Sequence, residues 1–245
     1  NTLIDSNSLI TTLSSANAYG ILLYEQAFKR PLNDVTISNN ILTCQGATSS
    51  GGIYVIGDVW DGYQSVISNL KISGNTVKGY GNNPEGFGIG VKQTLFAGSP
   101  VTGLLGDGVV ISDNVIEFPA HAVTTYGIVL SNGLRSGSVT GNVIKNFRSQ
   151  GVRLLGVQDF NLSGNTLIAD PAASGVFGFN ERGKDLTTHY NSQGNRYGQN
   201  TYKGTFSRPV AHSDETCFNS DRVILRRTGV LASDTVIATQ WPKQV

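Results

Sequence analysis

The sequence predicts an all-β chain wound as a right-handed parallel β-helix, closed by a small C-terminal β cap. Three observations predict it: a repeated asparagine motif, a glycine ladder advancing in step with it, and a composition suited to short strands and many turns. Internal repeats are weighed first because they decide architecture. The asparagine motif runs apolar, Ser or Thr, any residue, Asn, then an apolar pair or near-pair. It reads Ile37-Ser38-Asn39-Asn40-Ile41-Leu42, then Ile72-Ser73-Gly74-Asn75-Thr76-Val77 and Ile111-Ser112-Asp113-Asn114-Val115-Ile116. Val139-Thr140-Gly141-Asn142-Val143-Ile144 and Leu162-Ser163-Gly164-Asn165-Thr166-Leu167 complete the clear set.

The glycine ladder lies between these copies, with Gly followed by an aliphatic residue. Its members are expected at Gly20, Gly52, Gly88, Gly127, Gly151 and Gly175, spaced 32, 36, 39, 24 and 24 residues apart. Two ladders in step, at a variable period, mean one coil turn per repeat. A propeller blade needs a steadier period of roughly 40 residues, and a doubly wound α/β fold needs helical periodicity that is absent. Apolar residues at alternate positions then point into one narrow core. A buried Asn amide needs partners, and asparagines stacked in register supply them to one another. The ladder glycines, and Gly74, Gly141 and Gly164, are expected at bends requiring positive φ.

The composition agrees. Among 245 residues, 30 are Gly and 14% are charged, against about 25% charged in a typical soluble chain. A net charge of +1 and no basic stripe argue against nucleic acid. No apolar run is long enough to cross a bilayer. Cys44 and Cys217 are too few for a disulfide scaffold, and Cys44 reads as a buried free thiol. His121, His189 and His212 show no metal-ligand spacing, so neither metal nor cofactor is expected; His121 lies on a turn where a base could sit. Asn161-Leu162-Ser163 matches a glycosylation sequon but falls inside the repeat. Met is absent, and Asn1-Thr2-Leu3-Ile4 matches the motif's second half. A start in mid-rung, after processing, proteolysis or design, with upstream rungs lost, is therefore expected. The helix is expected over residues 1–206, with Gly194-Asn195 a weak last echo. Residues 207–245, with strand-like runs at Arg222–Arg226 and Val236–Trp241, read as the cap or an oligomer contact.

The repeats quoted above resemble the pectate-lyase-like right-handed β-helix superfamily, most closely the β-helix body of bacteriophage tailspikes. The resemblance covers about residues 1–206 and its motif specifies fold rather than chemistry. It implies a homotrimer on a virion tail or in an extracellular setting. It also implies a bacterial surface polysaccharide, capsule or lipopolysaccharide, as partner. No catalytic motif of a β-helix enzyme class is present, so no family catalytic residue carries over.

Function on a solenoid sits on a stacked face and in the loops interrupting it. The long connections fall between residues 52 and 106. One contains Asp58, Trp60, Asp61 and Tyr63; aromatic faces beside acceptors suit sugars, which present apolar ring faces and hydroxyls together. Glycoside hydrolysis needs two carboxyls about 5 Å apart for retention or 6.5–9.5 Å for inversion, and neighbouring rungs lie about 4.8 Å apart. Glu25 with Asp58, or Asp58 or Asp61 with Glu85, are the candidate acid and base. Glu181, counted six beyond Gly175, is too far along the coil to join them within one subunit, though a trimer could bring it to a neighbour's groove. Tyr54 joins Trp60 and Tyr63 as a substrate contact. Lys92 and Arg153 fall at outward positions, able to bind an acidic sugar or simply to solubilise the face. Three functions stay open: glycan hydrolysis, uronate elimination or epimerisation, and non-catalytic glycan binding or a structural spike. An unsaturated, ultraviolet-absorbing product would mark elimination.

Overall fold

A computed structural model describes residues 1–12, 18–25, 31–45, 50–60, 63–64, 66–81, 86–95, 106–119, 124–182, 192–212, 223–227 and 238–239. The side chains of residues 25, 58–60, 63–64, 94–95, 212, 223–227 and 238–239 fall outside that description. The described residues are all β, with no helix. They form parallel strands in stacked sheets, consistent with a parallel β-helix. Each turn of chain visits the same stations in the same order.

The first stack holds Thr2–Asp5, Val35–Ser38, Lys71–Ser73, Val110–Ser112, Ser138–Thr140 and Asn161–Ser163, each paired in parallel with its counterpart one repeat on. The second holds Ser8–Thr11, Ile41–Cys44, Thr76–Lys78, Val115–Glu117, Val143–Phe147 and Thr166–Ala169. Both close on the long strand Arg196–Lys203. The third stack is Tyr19–Glu25, Gly51–Trp60, Gly86–Leu95, Thr125–Ser131, Gln150–Leu155, Phe177–Arg182 and Arg208–His212. A short fourth stack runs Leu32–Asn33, Ile67–Ser68, Gly106–Asp107 and Leu134–Arg135. Val223–Arg227 adds in parallel beside Arg196–Lys203 and pairs antiparallel with Ala238–Thr239.

The strands of the first three stacks send alternate residues inward. Ile37, Ile72, Ile111, Val139 and Leu162 stack from the first stack, Leu42, Val77, Ile116, Ile144 and Leu167 from the second, and Ile53, Ile89, Ile128 and Val152 from the third, all buried. Each such side chain contributes about 1.5–3 kcal/mol on burial, and successive rungs cover one another.

The first and second stacks meet at a two-residue turn. Ser6, Asn39, Gly74, Asp113, Gly141 and Gly164 occupy it at φ between 55° and 70°, a region that Gly and, less freely, Asn and Asp adopt. The next residue is the ladder asparagine. Asn75 is typical: its Nδ2 donates to Oδ1 of Asn114 at 2.9 Å and to the Ile37 carbonyl at 2.9 Å. Its own Oδ1 accepts from the backbone N and Nδ2 of Asn40, at 3.0 and 2.9 Å.

The ladder is longer than the motif indicates. It opens at Asn7, whose Nδ2 donates to Asn40 Oδ1 at 2.9 Å, and closes at Asn200, which accepts from Asn165 Nδ2 at 3.0 Å. Asn1 is not a member, because Thr2–Asp5 belongs to the first stack; the motif's first copy is Ile4–Leu9, with Asp5 in the Ser position. Asp5 accepts from Ser38, from Ser6 at 2.8 Å and from Asn39 at 3.0 Å, and these donors hold its carboxyl below the usual range. Asn195, the expected echo, sits at a different corner. It accepts from the Phe160 backbone N at 3.0 Å and donates to the Val157 carbonyl at 2.9 Å.

The third-stack glycines correct the expectation of positive φ. Gly20, Gly52, Gly88, Gly127 and Gly151 do not adopt it; close approach excludes their side chains. A Cβ on Gly52 would lie 2.2 Å from Val77 and 2.7 Å from the Gly88 carbonyl. A Cβ on Gly127 would lie 2.3 Å from the Gly151 carbonyl and 2.5 Å from Ile144. The facing second-stack strand and the next rung fill the space. The last expected member, Gly175, is off the ladder: Gln150 pairs with Phe177 and Val152 with Phe179, so Gly178 stands above Gly151. Cys44 is a buried free thiol, as expected; Cys217 lies outside the described residues.

Candidate functional site

The third stack differs from the others in what joins it. First and second stacks connect only through the two-residue turn. Into the third lead the connections 12–18, 45–50, 79–85 and 118–124, and out of it run 26–31 and 96–105. Long connections therefore meet the coil at the two ends of this stack.

Its outward positions carry an aromatic strip. Tyr19, Tyr54 and Phe87 come from three successive rungs, with ring centroids 5.4 Å apart for Tyr19 and Tyr54 and 4.9 Å, edge to face, for Tyr54 and Phe87. Glycine makes this possible. A Cβ on Gly51 would lie 2.4 Å from the Phe87 ring; one on Gly90 would lie 2.7 Å from Phe87 and 3.0 Å from Tyr54. The rings lean into the room those glycines leave. Each such pair contributes about 0.5–1.5 kcal/mol beyond its buried area, so the strip is a packed platform. Tyr126, in register with Phe87, continues it, and the Arg153 guanidinium lies 4.9 Å above the Tyr126 ring centroid, a cation–π contact.

Here the stack holds a groove of about 190 Å³, lined by Tyr54, Phe87, Lys92, Tyr126, Ser131, Asn132 and Arg153 together with aliphatic strand residues. No described lining residue is acidic. Arg153 Nε is buried without a hydrogen-bond partner in the protein, as is Oε1 of Gln150, whose residue pairs in register with Tyr126.

Three of the sequence-derived binding candidates, Tyr54, Lys92 and Arg153, thus line one groove. Asp61 and Glu85 lie outside the described residues, as do the side chains of Glu25, Asp58, Trp60 and Tyr63. Their backbones are placed where described: Glu25 pairs with Gly57, one position short of Asp58, and Asp58 pairs with Thr94. Trp60 and Tyr63 are cross-strand partners in an antiparallel hairpin extending the Gly51–Trp60 strand. His121 lies outside the described residues.

Glu181 is corrected outright. It stands three beyond Gly178, in the inward column above Leu154, and is 1% exposed. Its carboxyl accepts from Asn195 Nδ2 at 3.0 Å and is hydrogen-bonded to the Tyr197 hydroxyl at 2.5 Å. It is an interior group with no access to a groove, in this subunit or a neighbour's.

Phe87 and Tyr126 were missed from sequence. The signal was present: an aromatic residue immediately precedes the ladder glycine in Tyr19-Gly20, Phe87-Gly88, Tyr126-Gly127 and Phe177-Gly178. Among the described residues, no three His, Cys, Asp or Glu side chains group as metal ligands. No protein-family model, curated protein or solved structure matches the chain.

Proposed function

We propose that the chain is the right-handed β-helix body of a tailspike-like polysaccharide depolymerase, with an extended bacterial surface glycan lying along the outer face of the third stack. The observation that carries this reading is the aromatic strip Tyr19–Tyr54–Phe87, continued by Tyr126 under Arg153. Sugar rings stack their apolar faces on aromatic rings while their hydroxyls seek the flanking polar groups, here Ser131, Asn132 and Lys92. A right-handed coil accords with the handedness of parallel crossover connections. Cleavage is assigned to paired carboxylates from Glu25, Asp58, Asp61 and Glu85, by hydrolysis. The virion-tail homotrimer and the capping role of residues 207–245 belong to the same proposal.

The test is incubation with a panel of bacterial surface polysaccharides, reading reducing ends and fragment masses. Cleavage that Asp58→Asn abolishes, with glycan binding retained, supports hydrolysis; full activity in that variant removes Asp58. A second reading, glycan binding without cleavage, is favoured by one observation: no described groove-lining residue is a carboxylate. Binding with no rise in reducing ends selects it.

A further inference from the structure

We infer that the third-stack groove selects an acidic glycan, one whose sugars carry a singly charged oxyanion, with Arg153 and Lys92 as the charge-reading residues. The inference rests on the glycan reading above and adds the substrate class.

Charge is the first ground. The described lining of the groove holds two cations and no carboxylate. The described residues contain two ion pairs, Lys145 with Glu117 and Arg148 with Asp170, so neither Lys92 nor Arg153 is neutralised within them. On a surface whose net charge is only +1, two unpaired cations beside an aromatic platform form a local feature. Arg148 shows the contrast, since its charge is matched within the coil by Asp170 at 3.7 Å.

Geometry is the second. Arg153 is held by the Tyr126 ring at 4.9 Å, which fixes a planar fork at the groove wall. Such a fork matches a carboxylate or other oxyanion with two parallel hydrogen bonds. Its Nε is buried and unpartnered. Lys92 is in register with Ser131, and Ser131 with Leu155, so it stands two rungs from Arg153, about 10 Å along the coil. That separation suits two charges on different sugars of one chain better than a single dianion. The Phe87 ring stands on the same rung as Lys92 and the Tyr54 ring one rung before it, placing sugar-face contacts in line with the charge contacts. A nucleic acid also joins stacking to anionic charge; Arg182 and Arg208 stand outward on later rungs of this face, but Leu22, Tyr54, Val129 and Ser131 occupy outward positions before and between the groove cations, so the cations form no continuous stripe.

The test uses the full chain and one polysaccharide that binds, in native and carboxyl-reduced form, with dextran as neutral control and oligo(dT) as nucleic-acid control. Affinity is measured by calorimetry at low and moderate salt. Arg153→Gln and Lys92→Gln are each expected to weaken the native acidic glycan by about 10–100-fold, the range for a lost charged hydrogen bond. Arg153→Lys should restore part of the loss. Carboxyl reduction should weaken the wild type comparably, and added salt should do so in part. Tyr54→Ala should weaken native and reduced forms alike, and thermal melts confirm that each variant is folded. Loss in the Gln variants without loss on carboxyl reduction assigns the anion to a sulfate or phosphodiester substituent. Equal binding of native and reduced glycan with Arg153→Gln unchanged overturns the acidic class and leaves the glycan reading intact. Binding to no glycan, or to oligo(dT) alone, overturns both.

Discussion

The junction between first and second stacks and the outer face of the third are built by one coil on opposite principles. At the junction the same residue recurs on every rung: a left-handed turn residue, then an asparagine whose amide bonds the next amide. On the third face the outward residue changes rung by rung, Leu22, Tyr54, Gly90, Val129, Arg153 and Asn180 standing in one register. Recurrence marks what stacking requires; departure from recurrence marks what stacking leaves free. Groups that vary while their neighbours repeat are therefore where ligand chemistry is to be sought, and the long connections reach the coil at the same stack.

The largest effect expected from breaking this contrast is at the junction. Asn114→Ala removes donors to Asn142 Oδ1 and the Ile72 carbonyl and the acceptor for Asn75 N and Nδ2. Several buried groups lose partners at once, each worth about 1–3 kcal/mol, so a loss of at least ~3 kcal/mol is expected in urea unfolding. A loss below ~1 kcal/mol, within the range of an ordinary surface change, would show that the ladder does not hold the turn.

Next come two glycines that look alike in sequence. Gly127→Ala drives a Cβ to 2.3 Å from the Gly151 carbonyl and 2.5 Å from Ile144; overpacking of this kind costs about 1–3 kcal/mol, more where backbone must shift. Gly175→Ala meets nothing within 4 Å and is resisted only by its φ of +71°, a cost of about 1–2 kcal/mol. Melting temperatures of the pair should rank in that order; the reverse ranking would return Gly175 to the ladder and Gly127 to a turn.

That pair also shows what was legible in the sequence. The asparagine ladder was readable because one residue type meets one chemical need on every rung. The glycine ladder was readable as a ladder, but its cause was not: positive φ and close approach both select glycine, and only the distance to Val77 or Ile144 separates them. Gly175-Val176 matched the pattern locally and displaced Gly178, which carried Glu181 from the interior to an imagined groove. Asn7 escaped because Asp5 replaced the motif's Ser. For the candidate site, Lys92 and Arg153 were found by strand alternation, because outwardness has period two, and Tyr54 as an aromatic grouped with Trp60 and Tyr63. Phe87 was missed; its ring crosses to the neighbouring rung over Gly51, a displacement that strand alternation does not encode, and Tyr126 follows it in register.

On the third face the expected effects move from stability to binding. Tyr54→Ala removes the middle ring of the strip, which packs on both Tyr19 and Phe87. Glycan affinity should fall about tenfold, roughly 1.4 kcal/mol, while the urea midpoint shifts less than for Asn114→Ala. A large stability loss with binding retained would make the strip a structural seam and remove it from the groove.

The smallest effect is at the coil's C-terminal end, where Tyr202 continues the inward column above Leu167. Its hydroxyl is buried without a partner, and burial pushes its ionisation upward from the ordinary value of 10.0. Tyr80 is pushed the same way, by burial first and by the neighbouring Cys44 thiol, against the opposing hydrogen bond with Thr11. A phenol whose folded-state pKa exceeds its unfolded one holds its proton more tightly when folded. Its contribution is therefore complete below about pH 10 and falls as pH rises beyond it. Tyr202→Phe should raise stability at pH 7 slightly, by about 1 kcal/mol, because an unsatisfied buried hydroxyl is removed. It should also flatten the decline between pH 10 and 11.5, measured as urea midpoints, leaving the part due to Tyr80. An unchanged alkaline slope would mean that the hydroxyl of Tyr202 reaches solvent, and that the aromatic end of the coil is more open than its packing against Phe179 and Phe206 implies.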